Sequence, residues 1–155
     1  MMSDTMKLLL SACCLLFLVS GFGYSQETDK SPSVEATIYV YRNFYHATFG
    51  KAAPTITANG EKLAVLDEGR YFVAHVPSGF VVVTSGKKKT NRVEIDGRPG
   101  ETYYIRARAH PGKLFARFEL FRVTTEEAKT DSDKLRYVNS NDIKSERVKD
   151  APKGP

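Results

Sequence analysis

The chain has 155 residues, of which 41% are hydrophobic and 26% charged, a balance that suits one globular domain and excludes a disordered one. Its formal net charge is +5, mildly basic, which allows attraction to anionic polymers or membranes without requiring it. Removal of a leader leaves about 130 residues, enough to bury roughly two-thirds of the unfolded surface without help from disulfides or metal.

The first 25 residues read as a signal peptide. Lys7 supplies a positive start, and Leu8 to Val19 is an apolar run too short to anchor a helix across a bilayer. Gly23-Tyr24-Ser25 places small residues where signal peptidase inspects the chain, and acidic residues follow at Glu27 and Asp29. Cleavage is expected after Ser25, leaving Gln26 as the mature N-terminus, and Met6 makes a cleaner initiator than Met1. Leu10-Ser11-Ala12-Cys13 also reads as a lipobox, whose cysteine would carry a lipid anchor. The apolar stretch before Cys13 is short for that, and Cys14 to Val19 stays apolar where a polar tether belongs. Ordinary cleavage is therefore the expectation; both cysteines then leave with the leader, and the mature domain has no thiol chemistry.

Residues 26–33 form a polar entry segment. From 34 to 124, turn signals recur at the spacing of an antiparallel β domain: Asn59-Gly60, Glu68-Gly69, Pro77-Ser78-Gly79, Ser85-Gly86, Asp96-Gly97, Pro99-Gly100 and Pro111-Gly112. Thr102 to His110 alternates, with 103, 105, 107 and 109 on an apolar face and 104, 106, 108 and 110 on a polar one. Arg92 to Asp96 does the same. Phe80-Val81-Val82-Val83 is apolar on both faces and predicts a central strand covered on each side. The phase shifts between Leu120 and Phe121, which predicts a β-bulge there. About eight strands in this span point to an all-β sandwich or a rolled antiparallel sheet. Thr124 and Glu127 have capping-box spacing ahead of a short helix from Thr125 to about Leu135, with 125–138 packed back on the sheet. The polar segment 139–155 is expected to be disordered.

Few residues offer chemistry. His46, His75 and His110 have no metal-ligand spacing, Ser78 lies in a turn without an elbow motif, and there is no phosphate loop. The expectation is a protein with no catalytic residues, no metal and no cofactor. Lys87-Lys88-Lys89 after Ser85-Gly86 would project cations from a hairpin tip, where an anionic glycan or lipid surface could gather; a solvated anti-aggregation loop is the plainer explanation. Arg42, Arg106 and Arg108 with Tyr39, Tyr41, Tyr71 and Tyr104 would make an aromatic-basic surface for a peptide or glycan if they share one sheet face. The duller alternative is arginine stems covering tyrosine rings. The leader argues against nucleic acid as a partner.

Taken in order, Ile38-Tyr39-Val40-Tyr41-Arg42, Asn59-Gly60-Glu61-Lys62-Leu63, Gly69-Arg70-Tyr71-Phe72, Val76-Pro77-Ser78-Gly79 and Gly100-Glu101-Thr102-Tyr103-Tyr104-Ile105-Arg106 resemble the bacterial domain of unknown function 2846 family. The resemblance spans about residues 34–124. Pro77-Ser78-Gly79 departs from the family's more usual pair of prolines before the glycine. The resemblance implies an envelope location and an antiparallel β-sandwich related to carboxypeptidase-regulatory and transthyretin-like modules, and it implies no activity. A binding role, with an envelope or extracellular protein as partner, follows as the expectation. Exported material is expected to give an intact mass beginning at Gln26; a mass that retains residues 8–20 overturns the cleavage assignment.

Overall fold

A computed structural model of the chain describes residues 35–44, 52–86, 91–110 and 116–149. Ser25, Gln26, Cys13, the entry segment and Lys87–Lys89 therefore lie outside the described residues. Strands β1 (Glu35–Arg42), β2 (Thr55–Ala58), β3 (Glu61–Val65), β4 (Arg70–Pro77), β5 (Gly79–Ser85), β6 (Arg92–Gly97), β7 (Thr102–His110), β8 (Arg117–Val123) and β9 (Arg136–Tyr137) surround one short helix, α1 (Thr125–Ser132). They form two packed sheets, ordered β8-β7-β1-β4-β9 and β3-β2-β5-β6. The all-β sandwich is thus the architecture of the chain.

The sandwich is not wholly antiparallel. β1 runs parallel to β7, with Ile38 opposite Tyr103 and Tyr41 opposite Arg106, and β9 runs parallel to β4. Side-chain alternation has the same period in both kinds of ladder, so it could not distinguish them.

Period-two patterning explains the core. Ala36, Ile38 and Val40 of β1, Phe72, Ala74 and Val76 of β4, and Tyr103, Ile105 and Ala107 of β7 point inward, where Ile56, Leu63, Val81, Val83 and Ile95 of the facing sheet meet them. Each large apolar side chain buried in this way contributes roughly 1.5–3 kcal/mol. Two polar ties join the layers near their rims: the Tyr103 hydroxyl donates to the Asp96 carbonyl (2.8 Å), and the Ser85 hydroxyl donates to the Phe118 carbonyl (3.0 Å). Asn59 and Gly60 both take positive φ (48° and 85°), the backbone of a tight hairpin turn. Asn59 Oδ1 accepts the Val82 N–H at 2.8 Å and fastens that turn to β5.

Several sequence expectations are corrected. β5 lies inside its sheet, but Phe80 is 66% exposed and Val82 half-buried, so only one of its faces is covered. The strand buried on both faces is β1, whose outward Tyr39 and Tyr41 lie beneath other parts of the chain. No bulge occurs at Leu120: β7 and β8 pair without a break from Tyr104–Val123 to His110–Arg117, and Phe121 turns to the outer face. The register shift falls instead between Ile56 and Thr57, where β2 meets β3. α1 begins on the expected capping box, the Thr124 hydroxyl accepting from Glu127 N–H and Glu127 accepting from Thr124 N–H. It ends at Ser132, short of Leu135; the Thr130 hydroxyl bonds back to the Glu126 carbonyl and the Ser132 hydroxyl to the Lys129 carbonyl near that end.

The largest correction concerns the tail. Of the segment 139–155, residues 139–149 are ordered against the sandwich and serve as a strap across both sheets, and 150–155 lie outside the described residues. Ile143 bridges to Ala64 of β3 and Val148 to Ala74 of β4. Lys144 N–H donates to the Leu63 carbonyl (2.8 Å), and His75 N–H donates to the Arg147 carbonyl (2.9 Å). Arg147 Nε also donates to Glu61 at 2.8 Å. The strap fills edge hydrogen-bonding groups that would otherwise face water, and it buries Val148. Its polar composition hid two well-spaced apolar anchors. A chain ending at Asn139 is expected to lose amide-exchange protection at His75 and about 2 kcal/mol or more of stability; unchanged protection at His75 would show that the strap carries none of it.

Candidate functional site

The outer face of the five-stranded sheet gathers most of the expected aromatic-basic residues. Tyr39 sits at the centre, stacked on Tyr71 (ring centroids 5.0 Å apart, 15° between planes) and tilted against Tyr104 (5.6 Å) and Tyr41 (6.0 Å). Tyr137 meets Tyr71 edge-on at 5.4 Å. Strand alternation makes this inevitable: 39 and 41 on β1, 71 and 73 on β4, and 104 and 106 on β7 share one phase across adjacent strands.

These rings do not form an open platform. Tyr39 is 4% exposed and Tyr41 fully buried, in a cluster with Val73 and with Ala128 of α1. The helix is fixed over them by one carboxylate. Tyr41 donates to Asp131 Oδ2 at 2.7 Å and Arg106 donates to the same oxygen at 3.2 Å, while the Asn43 side chain also hydrogen-bonds this group. Burial pulls the Asp131 carboxyl upward, but the bonds from Tyr41, Asn43 and Arg106 together outweigh that and hold it below its ordinary range. Burial, reinforced by Asp131, pushes the Tyr41 phenol well above its usual value; burial and the neighbouring Tyr71 and Tyr104 do the same for Tyr39.

Arg42 departs from the expected set. It takes the inward phase of β1, is 7% exposed, and lies over the Phe118 ring at 4.9 Å. One of its amino groups donates to the Ala52 carbonyl (3.0 Å) and lies 3.4 Å from that of Leu66. Burial lowers its proton affinity, with Glu68 and Asp67 acting in the opposite sense.

Arg42 and Arg106 nevertheless meet at one place. The pairing of β1 with β7 stops at Tyr41–Arg106, whereas β7 continues to His110. A cleft of about 180 Å³ opens there, lined by Arg42, Asn43, Phe44, Arg106 and Arg108, with Ala107 and Ala109 between them. The Phe44 ring rests over Gly69, where any side chain would collide with it. A second cleft of about 280 Å³ lies toward the end of α1; it shares Asn43 and Phe44 with the first and is lined by Asp131 as well. Among the described residues, Arg42 Nε, Asn43 Oδ1 and Arg106 Nε are buried without a hydrogen-bond partner, and all three belong to residues lining the first cleft. The Tyr39 hydroxyl is likewise unpartnered, within the tyrosine cluster.

Asn43, Phe44 and Asp131 had no sequence signal, since their roles depend on where β1 stops and where α1 docks. Of the histidines, His75 lies 4.0 Å from Glu35 and His110 Nε2 lies 3.0 Å from Glu119; His46 lies outside the described residues. Comparison with protein-family models, with curated proteins and with solved structures found no match for this chain.

Asp131→Asn is expected to lower stability by about 1–3 kcal/mol, because it removes the charge that three donors share. The lowered carboxyl makes the native chain's stabilisation from this group complete above the unfolded value of about 4 and lost as pH falls through the folded one. Denaturant unfolding of both proteins across the acid range checks this, and equal pH slopes in the two would refute it.

Proposed function

We propose that the protein is a non-catalytic binding domain, exported behind the leader of residues 1–25, that acts on another protein of the cell envelope or extracellular space. Kinship with the domain of unknown function 2846 family over residues 34–124 is part of this reading. The observation that carries it is the uncovered half of the outer sheet face. α1 closes the tyrosine half, but on the β7–β8 half Arg108 is exposed and Phe121 is 37% exposed, directly across from Arg106. Arg108 has no side-chain hydrogen bond or ion pair among the described residues. An exposed phenylalanine beside unpaired guanidinium donors matches the aromatic and arginine enrichment of protein interfaces. β8 adds an outer edge with no strand beside it among the described residues.

Crosslinking in cells followed by pull-down of the tagged mature protein, washed at low and at high salt, tests the proposal. A near-stoichiometric protein partner should survive high salt, and Phe121→Lys should reduce its recovery. Recovery of glycan or lipid alone, lost in high salt, would overturn this reading in favour of an anionic surface held by Lys87–Lys89.

A further inference from the structure

We infer that the cleft at the end of β1 is a carboxylate site that takes the carboxy-terminal residue of an extended polypeptide. The inference rests on the binding-domain reading and names the part of the partner that is recognised.

Donors in the cleft exceed acceptors. A guanidinium carries five N–H donors. Among the described residues, Arg42 reaches main-chain carbonyls through one amino group, Arg106 reaches Asp131 through one amino group, and Nε of each is buried without a partner. Arg108 lines the same cleft and makes no ion pair among the described residues; Glu119, opposite it on β8, pairs with His110 instead. Glu68 and Asp67 act on Arg42 electrostatically but form no ion pair with it among the described residues, and Asp131 already accepts from Tyr41, Arg106 and Asn43. An anion entering here would meet arginines that can form paired, charge-assisted hydrogen bonds, with Arg42 lying largely out of water, where such bonds are strongest.

Asn43 narrows the chemistry. Its side chain bonds Asp131, yet its Oδ1 is a buried acceptor with no donor. A ligand that completes the cleft must bring an N–H or O–H close to its anionic group. Sulfate or a phosphodiester brings oxygens alone. The last residue of a polypeptide brings both, because its amide N–H is separated from its carboxylate by one carbon.

The strand geometry supplies the third argument. β7 continues past the last β1 pair with no described neighbour on that side, so main-chain groups of Ala107 to Ala109 border the notch. An extended segment entering along β7 would continue the ladder that β1 leaves, the manner in which strand-edge domains hold peptide ends. The half-buried Ala109 and the exposed Phe44 ring offer an apolar wall to the terminal side chain, and about 180 Å³ is residue-sized.

The ligand chemistry is that of an N-acyl α-amino acid, which could be free or could end a chain, and the test separates these. Amide resonances of the full mature protein are followed by NMR during addition of N-acetyl-leucine, N-acetyl-leucinamide, inorganic phosphate, and a leucine-ending hexapeptide with free or amidated terminus. Saturable shifts at Asn43, Arg106 and Arg108 are expected with the two free carboxylates and not with the amides, the hexapeptide binding roughly tenfold tighter because it also pairs with β7. Equal affinity of hexapeptide and N-acetyl-leucine would overturn the chain-end assignment. Equal response to phosphate, or to the amides, would overturn the carboxylate site. Arg108→Ala, at an exposed position, should weaken binding roughly tenfold with an unchanged unfolding midpoint; unchanged affinity would also overturn it. A protein partner captured equally well after amidation of its own terminus would remove this inference and leave the binding-domain reading standing. Carboxylate binding with no protein partner in cells would do the reverse.

Discussion

β1 lies third of five in its sheet and must bury both of its faces, and much of the molecule answers that demand. Its inward residues, Ala36, Ile38 and Val40, are met by the second sheet. Its outward tyrosines, 39 and 41, are met by neighbouring rings and by Ala128 of α1. That helix is only eight residues long, so its own propensity contributes little to holding it in place. The Asp131 carboxylate, shared by Tyr41 and Arg106, seats it and thereby completes the cover over β1. A half-buried carboxylate with three donors is costly to unbalance, which makes this contact a fixed point of the outer layer.

The same strand also decides where the molecule stays open. β1 departs from the sheet after Arg42 while β7 runs on, so the change from a closed to an open surface occurs at one residue pair, Tyr41 and Arg106. On one side of that pair, tyrosine hydroxyls and a carboxylate are turned inward and used for packing. On the other, Nε of both Arg42 and Arg106 is buried without a hydrogen-bond partner among the described residues. On the proposed reading, structural and binding roles meet on adjacent residues. Arg106 belongs to both, holding α1 through one amino group while lining the cleft.

Much of the fold was legible in the sequence because period-two burial and turn chemistry are local. The alternation of Thr102–His110, the Asn59-Gly60 hairpin and the Thr124–Glu127 capping box are realised as read. What could not be read depends on distant neighbours. Phe80–Val83 and Ile38–Tyr41 are both apolar runs, and only the position of α1 decides that β1 is the one covered twice. Ile143 and Val148 were diluted among polar residues, since a strap that meets two sheet edges needs few anchors. For the site, alternation placed Tyr39, Tyr41, Tyr71, Tyr104 and Arg106 on a common face. Arg42, next to Tyr41 in sequence, necessarily points the other way. It returns to the site only because β1 ends there.

The strap has a temporal meaning as well as a spatial one. A chain made from its N-terminus presents β1 first, but β1's neighbours on both sides come later, and Ala64 and Ala74 are joined to their last partners only when residues 143 and 148 are available. Native contacts are therefore predominantly long-range, and loop closure must precede their reward. In chain order the strap is the last described segment to meet its partners, a seam laid over two sheets whose strands precede it.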